Sequence, residues 1–91
     1  MAVTAQTELF SEQEWCLLQQ QLGLPRRQAQ IVKQIMHGKS DKQIAGELGI
    51  SLPTVRTHMS RVFRRFDLSD RVELILHVFS CLRESDAAHH S

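Results

Sequence analysis

The segment GISLPTVRTHMSRVFRRF, positions 49 to 66, contains four arginines in a stretch of ten residues. They are Arg56, Arg61, Arg64 and Arg65. Each guanidinium group offers N–H donors in a planar fork, which binds a carboxylate, a phosphate or the edge of a guanine through paired hydrogen bonds. The segment contains no acidic residue. It therefore predicts an anion-binding surface, provided that one helix holds these side chains on the same side.

The helix that would hold the arginines has a continuous apolar side. At about 100° per residue, an arc of roughly 100° contains Val55, Met59, Val62, Phe63 and Phe66. The polar side is centred on Thr57, Ser60, Arg61 and Arg64, flanked by Thr54, Arg56, His58 and Arg65. A solvated helix usually mixes charges of both signs, whereas this side carries none that is negative. We therefore interpret it as a surface for double-stranded DNA rather than as a solvated face.

Position along this helix predicts the role of each polar residue. Residues near the start of a recognition helix usually contact base edges, and small residues between long cations let the helix enter a groove. The predicted base-reading residues are Arg56, Thr57, Ser60 and Arg61. The predicted phosphate contacts are Lys42, Ser51, Thr54, His58, Arg64 and Arg65. Ser51 and Thr54 could equally be ordinary helix caps, and His58 could equally be a packed histidine.

Helical periodicity extends over nearly the whole chain, and no β-type alternation occurs. Five helices are predicted, with their starts at Ser11, Pro25, Ser40, Ser51 and Ser69. The fourth ends at about Phe66 and the fifth at about Arg83. We expect an all-α fold, a small helical bundle. Its parts are an N-terminal extension with one helix (1–23), a four-helix domain (24–83) and a disordered tail (84–91).

Only the tripeptide Gly-Ile-Ser separates the third and fourth helices. Gly49 allows a left-handed turn there. The residues around the turn are those that would fill the wedge between two crossing helices: Ile44, Ala45, Leu48, Ile50 and Val55. This pattern predicts a helix-turn-helix.

The fifth helix carries two apolar stripes. One contains Val72, Ile75, Leu76, Phe79 and Leu82, and is predicted to face the core. The other contains Leu74, Val78 and Cys81, and is predicted to form a dimer interface. The alternative is that this second stripe is covered within the same chain, by the Trp15, Leu18 and Leu22 face of the first helix.

Charge and composition narrow the function further. Residues 26–66 contain nine Lys and Arg against two acids, although the formal net charge of the chain is only +1. This basic middle is typical of nucleic-acid binding. The sequence has no catalytic motif and no metal-ligand motif, so we expect no enzyme activity, no cofactor and no metal. It also lacks a signal peptide and a membrane-spanning apolar run, which predicts a cytoplasmic protein without membrane contact.

The segment GKSDKQIAGELGISLPTVRTHMSRVFRRFDLSDRVELI resembles the LuxR/FixJ-type helix-turn-helix domain of bacterial transcription regulators. The resemblance covers about residues 24–82 and is most specific in IAGELGIS, TVRTH and DRVEL. It implies a sequence-specific reader of double-stranded DNA that dimerises through its last helix, about 70–83, and places the helix of about 53–66 in the major groove. By matching position, it implies base contacts for Arg56, Thr57 and Ser60. Backbone contacts are implied for Lys42, Ser51, Thr54 and Arg64.

Departures from the family pattern leave two alternatives open. The start LPRRQ also resembles region four of bacterial sigma factors, which would make RNA polymerase a partner. A chain of this fold could instead be a protein-interaction module, such as an anti-activator that pairs with another regulator. Glutamines at Gln28, Gln30 and Gln43 replace glutamates that are common in the family, so family-typical internal ion pairs are expected to be absent.

Overall fold

The computed structural model describes residues 11–90, with side chains described for residues 11–83. This part of the chain contains five α-helices and no strand. They are α1 (Glu12–Leu22), α2 (Arg26–Met36), α3 (Asp41–Leu48), α4 (Leu52–Phe66) and α5 (Arg71–His90). The prediction of an all-α helical bundle is confirmed.

Side chains that cap the helices fix where they begin. Ser11 accepts a hydrogen bond from the backbone N–H of Glu14 at 3.1 Å, and Glu14 Oε1 accepts one from the backbone N–H of Ser11 at 2.8 Å. Ser40 and Gln43 form the same reciprocal pair at 3.2 and 2.8 Å. These capping boxes pair N–H groups that a helix start leaves without an intrahelical acceptor. Gln43 therefore serves as a cap where the family commonly has a glutamate.

The core joins all five helices. α4 packs against both α2 and α3, and α1 packs against α5. The buried apolar side chains form one cluster: Trp15, Leu18, Leu22, Leu24, Ala29, Ile31, Val32, Ile35, Met36, Ile44, Ala45, Val55, Met59, Val62, Leu74 and Val78. The extension α1 thus contributes three members of the same core as the four-helix domain.

The assignment of the two stripes on α5 requires correction. Leu74 and Val78, predicted at a dimer interface, are fully buried in the single chain, and Cys81 is half-buried against the same core. α1 contacts α5 and brings Trp15, Leu18 and Leu22 into the cluster with them. The alternative of cover within one chain therefore accounts for this stripe. The exposed apolar residues of α5 lie on its other side: Val72, Leu76 and Phe79.

The last helix is longer than predicted. α5 continues to His90, seven residues beyond the predicted end at Arg83. Neither glycine nor proline occurs between positions 71 and 90, and Glu84, Ala87 and Ala88 are good helix formers, so nothing local ends the helix at position 83. Residues 84–90, predicted as a disordered tail, lie within α5 in this structure. In the described part of the chain, no helix combines the length and hydropathy required to cross a bilayer.

Gly23, the C-cap of α1, has the left-handed conformation, with φ at 65°. Substitution by alanine is therefore expected to have opposite effects on stability at Gly23 and at Gly46. A side chain disfavours that conformation, and a Cβ on Gly23 would lie 2.8 Å from Nη2 of Arg65. Gly23→Ala is expected to lower the free energy of unfolding by about 1–2 kcal/mol. Gly46→Ala is the matched control. Gly46 lies inside α3 with nothing within 4 Å of a new Cβ, so its substitution is expected to stabilise by about 0.5–1 kcal/mol. Urea denaturation of both variants would contradict this account if they shift stability in the same direction.

Candidate nucleic-acid interface

α3, the turn after it and α4 form the helix-turn-helix. The C-cap of α3 is Gly49, whose φ of 69° is left-handed, and the backbone N–H of Ile50 donates to the carbonyl of Ala45 at 3.1 Å. The N-cap of α4, Ser51, follows directly. The wedge between the two helices contains the buried side chains of Ile44, Ala45 and Val55. The predicted motif is confirmed, and it fixes α4 against α3.

The four predicted base-reading residues all lie on the exposed side of α4. Arg56, Thr57, Ser60 and Arg61 are exposed, as are Thr54, Arg64 and Arg65. The buried residues of this helix are Val55, Met59 and Val62. The surface is therefore a continuous strip of cations and hydroxyls along the outer side of one helix, with no acidic residue on α4 itself.

Local hydrogen bonds already engage three hydroxyls of this surface. Ser51 Oγ accepts from the backbone N–H of Thr54 at 3.2 Å and lies 2.8 Å from Thr54 Oγ1. The Thr57 hydroxyl donates to the carbonyl of Pro53 at 3.0 Å. Because the Thr57 proton is engaged, this residue has its methyl group and oxygen lone pairs left for a base edge. Ser51 acts as the N-cap of α4, and Thr54 is bonded to it through both its backbone N–H and its hydroxyl. A cap at a helix N-terminus can also receive a phosphate.

Two predicted phosphate contacts lie at the margin of the surface. His58 is half-buried and its Nδ1 has no accessible surface, which favours the packed interpretation. Arg65 is exposed, but its guanidinium approaches Gly23 at the end of α1, and its Cζ lies 6.0 Å from the centroid of the Phe66 ring. A cation at this place complements the negative end of the α1 dipole. Lys42 and Arg64 keep exposed positions that suit a phosphate.

A shared carboxylate connects the recognition surface to the start of α5. Asp41, the first residue of α3, accepts a hydrogen bond on Oδ1 from Arg71 Nη1 at 2.8 Å. Nη2 of Arg71 donates to the backbone carbonyl of Lys39. The other oxygen of Asp41, Oδ2, lies 3.6 Å from Nε of Arg56. One acid therefore contacts two arginines on two different helices.

The charges of the interface are only partly neutralised. Glu47 is paired with Lys39 at 2.5 Å, and Asp41 is paired as described. Within residues 11–83, no acid lies within ion-pair distance of Arg61 or Arg64. In the same part of the chain, no three His, Cys, Asp or Glu side chains are grouped so that they could hold a metal ion. The surface can thus offer cationic donors to a polyanion.

Sequence reasoning did not assign Asp41 and Arg71 to the site. Asp41 was visible as one of only two acids in the basic middle of the chain. Its partner Arg71 is 30 positions away, at the start of another helix. A lone acid within a basic segment was therefore a signal, but its pairing depends on the tertiary fold. Arg71 and Asp41 also form an internal ion pair, which involves none of the positions Gln28, Gln30 and Gln43.

Comparison with known families gives a match to the helix-turn-helix region. The model of the family "Bacterial regulatory proteins, luxR family" matches residues 22–78. The matched range contains α2, α3, α4 and the first part of α5. It excludes nearly all of α1. No solved structure matches the chain.

Curated relatives match over the same region. The uncharacterized transcriptional regulatory protein YhcZ of Bacillus subtilis (strain 168) is 40% identical over 53 residues, which are 58% of this chain and 25% of that protein. The transcriptional regulatory protein LiaR of the same strain is 37% identical over 51 residues, 56% of this chain and 24% of that protein. The glycerol metabolism activator of Pseudomonas putida is 38% identical over 54 residues, which are 59% of this chain and 24% of that protein. The match spans about a quarter of the length of each relative.

Proposed function

The chain belongs to the luxR family of bacterial regulatory proteins and carries its DNA-binding helix-turn-helix, and we propose that it binds specific sequences of double-stranded DNA as a transcription regulator. The observation that carries the proposal is the exposed, acid-free side of α4 on a helix-turn-helix. The regulator works in the cytoplasm, without enzyme activity or a cofactor. Three relatives are named as transcriptional regulators or an activator, which supports the same class.

The arrangement of the side chains suggests how the duplex is bound. α4 enters the major groove, where Arg56 and Arg61 reach guanine edges and Thr57 and Ser60 contact neighbouring bases. Arg64 and Lys42 neutralise phosphates on either side of the groove. Because phosphate contacts release counterions, binding weakens as salt concentration rises. The phosphate contacts set affinity and orientation, while the contacts of α4 with bases set the sequence.

Dimerisation belongs to this proposal, through residues other than those predicted from the sequence. Val72, Leu76 and Phe79 form an exposed apolar strip on α5, on the side opposite the buried Leu74 and Val78. Two copies of this strip can pack across a two-fold axis and remove it from water. Two recognition helices would then meet half-sites about one helical turn, roughly 34 Å, apart.

Arg56→Ala tests the base-reading role. A selection of bound duplexes from a random DNA pool should give a motif with two-fold repeats, and Arg56→Ala should reduce the preference for that motif by about 1–3 kcal/mol. Arg64→Ala is the control within the same helix. Because Arg64 is assigned to a phosphate, its loss should weaken binding to all sequences equally and lower the salt slope by about one. Fluorescence anisotropy of both variants across a salt series measures each effect.

Two results would redirect the proposal. If no motif emerges and wild-type protein shows no salt-dependent affinity for DNA, the chain is a protein-interaction module, and another regulator is its partner. If a motif emerges without two-fold repeats and binding requires RNA polymerase, the reader resembles sigma region four. If Arg56→Ala leaves the preference for the motif unchanged, Arg56 does not contact a base.

A further inference from the structure

We propose that Asp41 is a positioning residue for base recognition, because it orients the guanidinium of Arg56 on the exposed side of α4. This inference rests on the proposed DNA-binding function. Asp41 is not itself a base contact in this account. It fixes the direction from which Arg56 presents its terminal N–H groups to the groove.

The carboxylate of Asp41 has a fixed position. Asp41 is the first residue of α3, directly after the N-cap Ser40. Arg71 holds Oδ1 at 2.8 Å through Nη1, and its Nη2 donates to the carbonyl of Lys39. The Asp41 side chain retains only 24% of its exposure. A carboxylate held in this way by a second arginine cannot turn freely to follow Arg56.

Arg56 can be directed by this carboxylate because its own side chain is largely free. Its side chain is 64% exposed, and its Nε lies 3.6 Å from Asp41 Oδ2. Attraction at Nε turns the Nε edge of the guanidinium toward the protein. The two Nη groups then remain available for guanine O6 and N7, which an arginine contacts in pairs. Holding an arginine in its bound geometry lowers the entropy cost of ordering it on binding.

The charge of Asp41 gives a second argument. An acid beside a DNA-binding surface repels phosphates and lowers affinity for DNA of any sequence. Of the two acids between positions 26 and 66, Glu47 pairs with Lys39 and only Asp41 is paired with a residue of α4. The charge of Asp41 therefore lowers affinity for every duplex, while its position aligns the Arg56 guanidinium for the duplex with the preferred sequence. Such a combination raises discrimination rather than affinity.

A purely structural role for Asp41 predicts a different result. If Asp41 served only to hold Arg71 and the start of α5, its loss would reduce stability and would weaken binding to every duplex in the same proportion. Asp41→Asn separates the two roles, since the amide keeps an oxygen acceptor for Arg71 and removes the charge that faces Arg56. Asp41→Glu keeps the charge and moves the carboxylate, so it tests geometry alone.

The experiment measures the ratio of affinities for the selected duplex and for a scrambled duplex of the same length and composition. For both Asp41→Asn and Asp41→Glu, we expect this ratio to fall about three- to tenfold. Affinity for the scrambled duplex should rise or stay constant in Asp41→Asn. Glu47→Gln is the matched control because it removes one acid from the same helix without contact to Arg56, and it should leave the ratio unchanged. Thermal unfolding of each variant verifies the fold.

Three outcomes would overturn the inference. The first is an unchanged ratio in both Asp41 variants. The second is an equal fall in Glu47→Gln, which would make charge rather than position the cause. The third is a fall of the same size when Asp41→Asn is added to Arg56→Ala, because Asp41 would then act through another residue. Failure of the proposed function is distinguishable, since wild-type protein would then show no preference for any duplex.

Discussion

Leu18→Ala is expected to lower the free energy of unfolding by about 3 kcal/mol, although Leu18 lies outside the range that the family model matches. Leu18 is 1% exposed and belongs to the core cluster that contains Leu74 and Val78. Removal of its side chain leaves a cavity at the contact between α1 and α5. A loss of this size is a large share of the stability of a small domain.

The neighbouring leucine provides the control for this prediction. Leu17 has the same side chain as Leu18 and lies on the same helix, but it is 55% exposed. Leu17→Ala should change stability by less than about 0.5 kcal/mol. Urea denaturation followed by circular dichroism measures both. If the two substitutions have equal effects, α1 is not part of the cooperative core, and the interpretation of Leu74 and Val78 as residues covered within one chain is wrong.

Leu76→Asp is expected to reduce affinity for a duplex with two half-sites on the order of 100-fold, if the exposed strip of α5 forms the dimer. Leu76 is 63% exposed and lies at the centre of the strip with Val72 and Phe79. A carboxylate there would be buried without a partner in the dimer, and two such charges would face each other. Affinity for a single half-site should remain unchanged. Sedimentation equilibrium and anisotropy titrations with one-site and two-site duplexes measure these effects.

Leu17→Asp is the matched control, because it adds the same charge in place of another exposed leucine on a different helix. It should preserve both the association state and the affinity for the two-site duplex. Monomeric wild-type protein that binds two half-sites without cooperativity would contradict the assignment of the strip. So would a Leu76→Asp variant that dimerises as well as the wild type.

The helix starts could be predicted from sequence because their causes are local. Ser11 and Ser40 cap their helices through side chains only three positions away, and Gly49 supplies the left-handed turn that the motif needs. The apolar side of α4 followed from a single helical period. These features depend on residues close together in the chain, so the local sequence is enough to predict where the helices begin and which side of α4 is apolar.

The choice between the two stripes of α5 could not be made in this way. Both stripes are apolar at helical spacing, and the burial of Leu74 and Val78 depends on the position of α1, more than 50 residues earlier. The extent of α5 was missed for another reason. The polar character of residues 84–91 favours a disordered tail, but without glycine or proline the segment remains compatible with a helix.

On the candidate interface, the exposed side of α4 could be predicted, whereas the directions of its long side chains could not. Exposure on α4 agrees with the predicted base-reading set, whereas Arg65 is directed toward the end of α1 and His58 is partly packed. Long side chains choose among several rotamers according to nearby charges and ring faces. The contact between Asp41 and Arg56 likewise depends on how α3 and α4 cross.

The pairing of α1 with α5 joins the first and last helices of the described chain. Segments with few buried contacts usually open locally, and their backbone amides then exchange with solvent quickly. Here, both helices donate side chains to a shared core, so opening either helix exposes the centre of the domain. The chain must also close a long loop before these two helices meet, so their contact is entropically costly and we expect it to form late in folding. The contact between α1 and α5 therefore couples local opening of either helix to unfolding of the whole domain.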